Sequence, residues 1–209
     1  MQRKTRLEKK SLLSLRIAVF CLVMLPFGVS ATLVSWGLLP DSQTVDVGQP
    51  FQLDLVVSGL GDGIPPSLEG FDVDITFSNN FTIDPNSVVF GTSLGDPNDP
   101  AQTQTTSSLI GQEVLFLQMQ SFLTASNLDG IQGSSISLAT MTFTGSAVGT
   151  YLFSGDDFSG GLFLTDGTSE QPGITNAYVT VQSVPEPSTI LLLVGGLGIM
   201  LGLRKKSYA

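Results

Sequence analysis

Carboxylates are numerous in the central part of this 209-residue chain, and they are side chains that can act in catalysis or bind metal ions. Residues 32–183 contain no lysine, arginine, histidine or cysteine. Serine–histidine–aspartate triads, cysteine–histidine pairs, serine–lysine dyads and histidine metal sites are therefore excluded from this segment, because each needs a residue type that it lacks. Paired carboxylates can cleave glycosidic bonds, so the acidic residues are the remaining candidates for catalysis.

Asp72 and Asp74 form one candidate pair, because residues two apart lie on the same face of a strand. They are either a carboxylate pair, a set of metal ligands, or the solvated side of an amphipathic strand. We expect the solvated side. No acid in the segment is flanked in a way that suggests the raised pKa of a general acid. The sequence therefore predicts that the protein is not an enzyme.

A second group of acids is the candidate for a calcium site. Calcium takes six to eight oxygen ligands, and carboxylates in loops can supply them. The spacing here is not that of an EF-hand loop, and ordinary solvated loop acids are the alternative. We expect no resident metal, with calcium as the one cofactor worth testing at these residues: Asp156, Asp157, Asp166 and Glu170.

The elements that must position these acids are strands. Period-2 alternation runs from 44 to 182, most clearly in "FQLDLVVS" (51–58) and "GFDVDITF" (70–77). Turn residues such as "IDPNS" and "NLDGIQG" separate the runs, and no helical period occurs before residue 188. The pattern predicts an all-β fold, an antiparallel two-sheet sandwich.

Two longer motifs give a family resemblance for this sandwich. "LEGFDVDITFSNNFTIDPNSVVFG" is followed later by "SSISLATMTFTGSAVGTYLFS". This order of motifs resembles the cohesin-like family, whose fold is a jelly-roll β-sandwich. The resemblance implies a domain over 44–183, preceded by a linker at 32–43. Cohesins proper bind dockerin modules through one sheet face, but no binding residue can be transferred from the motifs.

Other segments of the sandwich suggest binding rather than chemistry. Trp36 and Phe71 are the aromatics that could stack on a sugar, and Trp36 lies outside the clear strands. The polar run "QTQTTSS" at 102–108 is predicted to be a loop, open to O-glycosylation.

The first 31 residues have the parts of a secretory signal peptide in order: a basic start, an apolar run and a small-residue site. Cleavage is predicted between Ala31 and Thr32. An uncleaved anchor helix is the alternative, which Pro26 and the short apolar run disfavour. Export is therefore predicted for the rest of the chain.

Residues 184–209 combine a Pro-Glu-Pro motif, an apolar run and three positive charges. The apolar run, 190–203, would span about 21 Å as a helix, against a hydrocarbon core of ~30 Å. It is therefore a marginal transmembrane helix. The positive charges stop transfer across the membrane and remain on the cytoplasmic side. They are Arg204, Lys205 and Lys206.

This three-part tail resembles the PEP-CTERM sorting signal of Gram-negative bacteria. The resemblance implies recognition by exosortase, an integral membrane enzyme, and processing at or near Pro185, Glu186 and Pro187. The family is linked to extracellular polysaccharide and biofilm production. The implied route is export, a transient inner-membrane stage with the domain in the periplasm, and then the cell surface or matrix.

The negative charge of the segment 32–183 limits the kinds of partner that it can bind. Of the 18 acidic residues only Glu8 and Glu186 lie outside 32–183, so that segment carries sixteen carboxylates and no cation. Such a surface repels nucleic acid, because nothing neutralises phosphate. We expect a structural or adhesive protein of an exopolysaccharide layer. The alternative is a cohesin-like protein- or carbohydrate-binding module held at the membrane by its C-terminal helix.

Overall fold

The computed structural model describes residues 33–156, 161–170 and 173–184. The predicted signal peptide, its cleavage site at Ala31 and Thr32, and the sorting signal from Pro185 onward lie outside these residues. The described part is dominated by strands arranged in two sheets. The predicted all-β sandwich is confirmed.

The smaller sheet has five strands in the order β1-β3-β9-β5, with β6 also paired to β9. All its strand pairings are antiparallel. Its strands are β1 (Ser35–Leu39), β3 (Pro50–Ser58), β5 (Phe81–Ile83), β6 (Val89–Phe90) and β9 (Ser135–Gly145).

The larger sheet has eight strands. Its main path is β12-β11-β4-β10-β13-β2, and β8 and then β7 extend it from the other edge of β4. The strands are β2 (Ser42–Asp46), β4 (Leu68–Thr76), β7 (Thr103–Ile110), β8 (Val114–Ser121), β10 (Gly149–Asp156), β11 (Leu162–Leu164), β12 (Ser169–Glu170) and β13 (Ala177–Gln182).

Alternation of apolar residues decides which side of each sheet faces inward. In β3 every second side chain from Phe51 to Val57 is at most 6% exposed. In β4 the inward residues Phe71, Val73 and Ile75 are at most 1% exposed. Both sets match the prediction, because successive strand side chains point to opposite faces and only one face can meet the other sheet.

Phenylalanine rings join the two sheets. Phe143 of β9 and Phe153 of β10 lie 4.9 Å apart between ring centroids, and Phe51 of β3 contacts both. Phe77 and Phe81 complete the group and also contact Phe153. We call these five residues the phenylalanine cluster. Its edge-to-face and offset contacts stabilise the sandwich beyond the area that they bury.

The segment 32–43 was predicted as a linker, but its described part, 33–43, contains strands. It contains β1 and the start of β2, and Trp36 is 1% exposed within β1. The chain leaves the smaller sheet after β1 and enters the larger one at β2, which runs parallel to β13. That pairing is also a departure from a wholly antiparallel sandwich. Short strands that change sheets have too few residues to show a period in sequence.

Two further predictions are corrected. The polar run at 102–108, expected to be a loop, is mostly strand β7. Within the residues that the structure describes there is one α-helix, α1 (Ala125–Ile131), in a region where none was expected. Its seven residues bury only Leu128, so it leaves no helical period. Gln132, just after it, ties it to β4, where its side-chain amide bonds the backbone N and O of Leu68 at 2.7 and 2.6 Å.

Truncating a ring of the phenylalanine cluster tests its role. Phe153→Ala should lower the free energy of unfolding by about 3–5 kcal/mol, through lost burial and a residual cavity. Phe122→Ala is the control, because that ring is 53% exposed, and it should cost less than ~1 kcal/mol. Urea unfolding of both variants measures the difference. Equal losses would contradict a core that depends on this cluster.

Candidate functional site on the outer face of the larger sheet

The candidate site lies on the outer face of the larger sheet, which is turned away from the phenylalanine cluster. Strand register sets its composition. Gln104 of β7, Gln120 of β8, Gly70 of β4 and Phe163 of β11 lie opposite one another in one row across four strands. We call this set the outer row.

Gly70 makes a depression in the outer row. Because it has no side chain, the surface falls to the backbone of β4 between two taller neighbours. A Cβ at this position would meet the carbonyl oxygen of Met119 at 3.0 Å. The groove that results is lined by the Phe163 ring on one side and by glutamine side chains on the other, with Glu69 among its residues.

The side-chain amides beside this groove are available to a ligand. Gln104, Gln118 and Gln120 make no side-chain hydrogen bond with any other residue that the structure describes. Each amide has two N–H donors and one oxygen acceptor. Amides of this kind match the hydroxyl groups of a sugar, which donate and accept hydrogen bonds equally.

One exposed aromatic ring, Phe163, borders the groove, and a second, Phe122, lies outside it. Phe163 is 39% exposed, and Phe122, two residues beyond Gln120 on the same face, is 53% exposed. The rings chosen from sequence are not at this surface, since Trp36 and Phe71 are 1% and 0% exposed in the core. Phe163 was missed because its short run, "GLFLT", shows no readable face before the strand partners are known.

Asp72 is not on a solvated face, contrary to expectation. It is 6% exposed, and its Oδ1 accepts a hydrogen bond from the Gly161 backbone N at 3.0 Å. Its own backbone N–H donates to the Gly161 oxygen at 3.1 Å. The start of β11 therefore covers it. Asp74 is half-buried on the same strand. Neighbouring strands on both sides of β4 remove these acids from bulk water.

The calcium candidates are only partly described. Asp156 ends β10, its side chain lies outside the described part, and Asp157 does as well. Asp166 is exposed in the turn before β12, and Glu170 is half-buried in that strand. No group of three acidic, histidine or cysteine side chains converges among the residues that the structure covers. Calcium binding therefore stays a prediction.

Two loop carboxylates, the half-buried Asp99 and the exposed Asp166, stabilise turns through hydrogen bonds. The pKa of Asp99 is lowered by the Ala101 backbone N–H and the Gln102 amide. The pKa of Asp166 is lowered by the Thr168 hydroxyl, 2.6 Å away, and by the Thr168 backbone N–H. Because both are lowered, their stabilising contributions are present above the ordinary value of 3.8 and are lost as pH falls below it.

The predicted sorting residues all lie outside the described part: Pro185, Glu186, Pro187, Arg204, Lys205 and Lys206. The predicted membrane span at 190–203 lies outside it too. Within 33–156, 161–170 and 173–184, no helix is long and apolar enough to cross a membrane.

Comparison with known families identifies the tail. A model of the PEP-CTERM protein-sorting motif matches residues 183–206. The chain therefore carries this motif, as the sequence predicted. The motif indicates an exported protein that exosortase sorts in Gram-negative bacteria, after a membrane-anchored precursor stage. No curated protein matches the chain.

Solved structures identify the fold of the domain. The cohesin CaCohA2 of Clostridium acetobutylicum superimposes with a TM-score of 0.57 at 16% identity, over 75% of this chain and 96% of that one. A cohesin from a type I cohesin–dockerin complex of Clostridium thermocellum gives 0.54 at 10%, over 71% and 99%. A type II cohesin of Acetivibrio cellulolyticus gives 0.54 at 11%, over 70% and 94%.

At these identities the likeness concerns the fold alone, and the fold is a cohesin-like β-sandwich. Both parts of the predicted resemblance, the sorting motif and the sandwich, are thereby confirmed.

Salt should stabilise this domain, because its sixteen carboxylates repel one another and no cation offsets them. Raising NaCl from ~10 mM to ~150 mM shortens the Debye length from about 30 Å to about 8 Å, so the melting temperature should rise. Thermal scans at constant pH measure it. Replacing exposed acids with amides, as in Asp62→Asn with Glu113→Gln, should reduce the rise. A melting temperature that falls with salt would contradict this account.

Proposed function

We propose that this chain is an exosortase-sorted protein of the cell surface or extracellular matrix, with a structural or adhesive role in an exopolysaccharide layer. One observation carries the proposal: a PEP-CTERM motif at 183–206 follows a sandwich domain that has sixteen carboxylates and no cation. The motif directs the export and sorting of the chain. The domain then presents its surface to ligands at the cell surface or in the matrix.

The tail acts as a sorting signal rather than as a permanent membrane anchor. A helix of about 21 Å is shorter than the ~30 Å hydrocarbon core, so it holds the precursor in the inner membrane only marginally. Proline disfavours helical structure at its own position and at the residue before it, so part of this proposal is that a membrane enzyme on the periplasmic side can reach Glu186 between Pro185 and Pro187. Processing there releases the domain to the surface or the matrix.

The domain works by binding rather than by catalysis. The acid most buried within a strand, Asp72, bonds to backbone beneath β11. The groove beside Gly70 instead offers unpaired amides and an exposed aromatic ring, which suit recognition of a neutral surface.

The ligand that fits this groove is an uncharged polysaccharide. Neighbouring strands lie about 4.8 Å apart, so the backbones of β8 and β11 are about 10 Å apart on either side of Gly70. The side chains on both strands fill part of this distance and leave a width on the scale of one sugar ring. Phe163 can stack on the apolar face of a sugar while Gln118 and Gln120 bond its hydroxyls. Uronic acids and phosphorylated glycans are repelled by the carboxylates.

A protein ligand is the second candidate, favoured by the cohesin-like fold. One of the similar cohesins was solved in a complex with a dockerin. A protein partner would cover much of the outer face and would contact Tyr178, which is 53% exposed on β13. A single sugar in the groove beside Gly70 would not reach β13, so the two ligands predict different effects at Tyr178.

Exosortase processing can be tested by mass. The chain is expressed with and without exosortase in a Gram-negative host, and the intact mass of the exported form is measured. We expect loss of the tail only when exosortase is present. Replacing Pro185, Glu186 and Pro187 together with alanine should abolish the loss. The control replaces the nearby Ser188 and Thr189 and should still be processed. An intact C-terminus in both hosts would overturn the sorting proposal.

Glycan binding can be tested on arrays of neutral hexose, N-acetylhexosamine and uronic acid oligosaccharides. We expect the processed protein to bind an uncharged class and to leave uronic acids unbound. Phe163→Ala should weaken binding about tenfold, or ~1.4 kcal/mol, which is the scale of a central aromatic contact.

Tyr178→Ala is the matched control, an exposed aromatic on the same face but on another strand, and it should bind glycan normally. Loss of binding to a protein partner in both variants would favour the second candidate. No glycan binding in any form would reject the polysaccharide ligand and leave the sorting route standing.

A further inference from the structure

One end of the sandwich is the point from which the C-terminal tail leaves the domain. Backbone hydrogen bonds join the end of β13 there to the turns that connect β2 to β3, β4 to β5 and β9 to β10. The segments are 46–49, 78–80, 145–148 and 182–184, and we call them the tail-side end. The bonds run from the Val47 N–H to the Gln182 oxygen, from the Gly48 N–H to the Gly145 oxygen, and from the Ser146 N–H to the Asn80 oxygen.

The tail-side end is neutral apart from Asp46. That carboxylate is half-buried, and it accepts a hydrogen bond from the Gln182 side-chain amide at 3.0 Å. The same end exposes two valines, Val148 at 61% and Val184 at 57%, together with the amide side chain of Gln49. It therefore presents apolar groups and neutral hydrogen-bond donors rather than carboxylates.

The opposite end of the sandwich is acidic. It comprises the connections 59–67, 93–102, 122–134 and 165–168. Hydrogen bonds join them, as from the Ser67 hydroxyl to the Asp129 carboxylate and from the Gln132 amide to the Ser93 oxygen. The carboxylates in these connections are those of Asp62, Asp96, Asp99, Asp129 and Asp166. The negative charge is thus concentrated away from the point where the tail begins.

The length of the tail limits which end can face the membrane. The predicted membrane span starts at Ile190, eight residues beyond Gln182, and eight extended residues reach at most about 29 Å. Strand β9, which runs from one end of the sandwich to the other, has 11 residues and is about 36 Å long. With the span inserted, the domain is therefore too long to invert and place its acidic end on the bilayer.

Charge disfavours a domain that lies on its side. Each sheet has a carboxylate on its outer face, Asp54 on the smaller sheet and Glu69 beside the groove of the larger one. Anionic lipids repel both. An upright domain instead keeps the acidic end about 36 Å from the lipid, several times the Debye length of about 8 Å, so salt screens most of that repulsion.

We propose that the tail-side end rests on the phospholipid surface while the precursor is anchored in the membrane, with the acidic end directed away. The junction between Val184 and Pro185 is then held at the lipid headgroups, within reach of an enzyme embedded in the same membrane. The groove beside Gly70 lies near the start of β4, at the acidic end, and is presented away from the bilayer. This inference goes beyond the proposed ligand and needs only the membrane-anchored stage that the sorting motif indicates.

The contact is tested in the full chain, expressed without exosortase so that the tail is retained. The chain carries Cys21→Ser and is reconstituted into vesicles of phosphatidylethanolamine and phosphatidylglycerol. A fluorescent label is attached to Val148→Cys at the tail-side end. Ile64→Cys is the matched control, because Ile64 is 64% exposed in a connection of the acidic end. Lipids with a nitroxide on the headgroup should quench the label at Val148→Cys several-fold more than the label at Ile64→Cys.

The importance of a neutral tail-side end is tested by adding charge to it. Gln49→Glu with Asn79→Asp should reduce the quenching at Val148→Cys in these anionic vesicles, and much less in vesicles of phosphatidylcholine. The control adds the same charge at the acidic end, through Asn127→Asp with Ser134→Asp, and should leave the quenching unchanged. Circular dichroism checks that each variant is folded.

Equal quenching of the two labels, stronger quenching at Ile64→Cys, or no quenching at either would overturn the proposal. A chain that does not float with the vesicles would overturn it as well, because the proposal requires an inserted tail. Exosortase processing and glycan binding are measured by mass and on arrays, so a failure of either is distinguished from a failure here.

Discussion

The absence of positive charge between residues 17 and 203 is the constraint on which the rest of this structure depends. No ion pair can form within the domain, and its carboxylates only repel. Apolar burial must therefore hold the two sheets together. The phenylalanine cluster meets that demand, since Phe51, Phe143 and Phe153 bring three strands from both sheets into ring contact. The polar contacts that hold elements together are neutral as well. For example, the Gln132 side-chain amide forms hydrogen bonds with both the backbone N–H and the backbone C=O of Leu68.

The same constraint shapes what the exterior can do. A surface with sixteen carboxylates and no cation repels phosphate, nucleic acid and anionic glycans, so the proposed recognition relies on neutral amides and an aromatic ring. These groups are concentrated where Gly70 lowers the outer row between Gln120 and Phe163.

Predictions from sequence succeeded where a strand was long and one face was buried. In β3 and β4 seven to nine residues of alternation left a single consistent assignment of the inner face. They failed where the decisive neighbour is distant in the chain. Thr105 and Thr106 lie in a polar run that favours a loop until β8 provides its ladder. Asp72 looks solvated until Gly161, 89 residues later, covers it. Only one member of the outer row, Gly70, lies in a strand whose faces the sequence predicted.

By itself the sequence determined the sorting signal and the net charge of this protein. Signal and sorting motifs are read as contiguous residues, and net charge is a sum that folding does not change. The sequence also determined the all-β class, because period-2 burial is a local property of the chain. Tertiary structure alone decided the groove beside Gly70 and the covering of Asp72. Each of these depends on which strand lies beside which, and pairing between distant segments is set by the packing of the whole core rather than by any local run of residues.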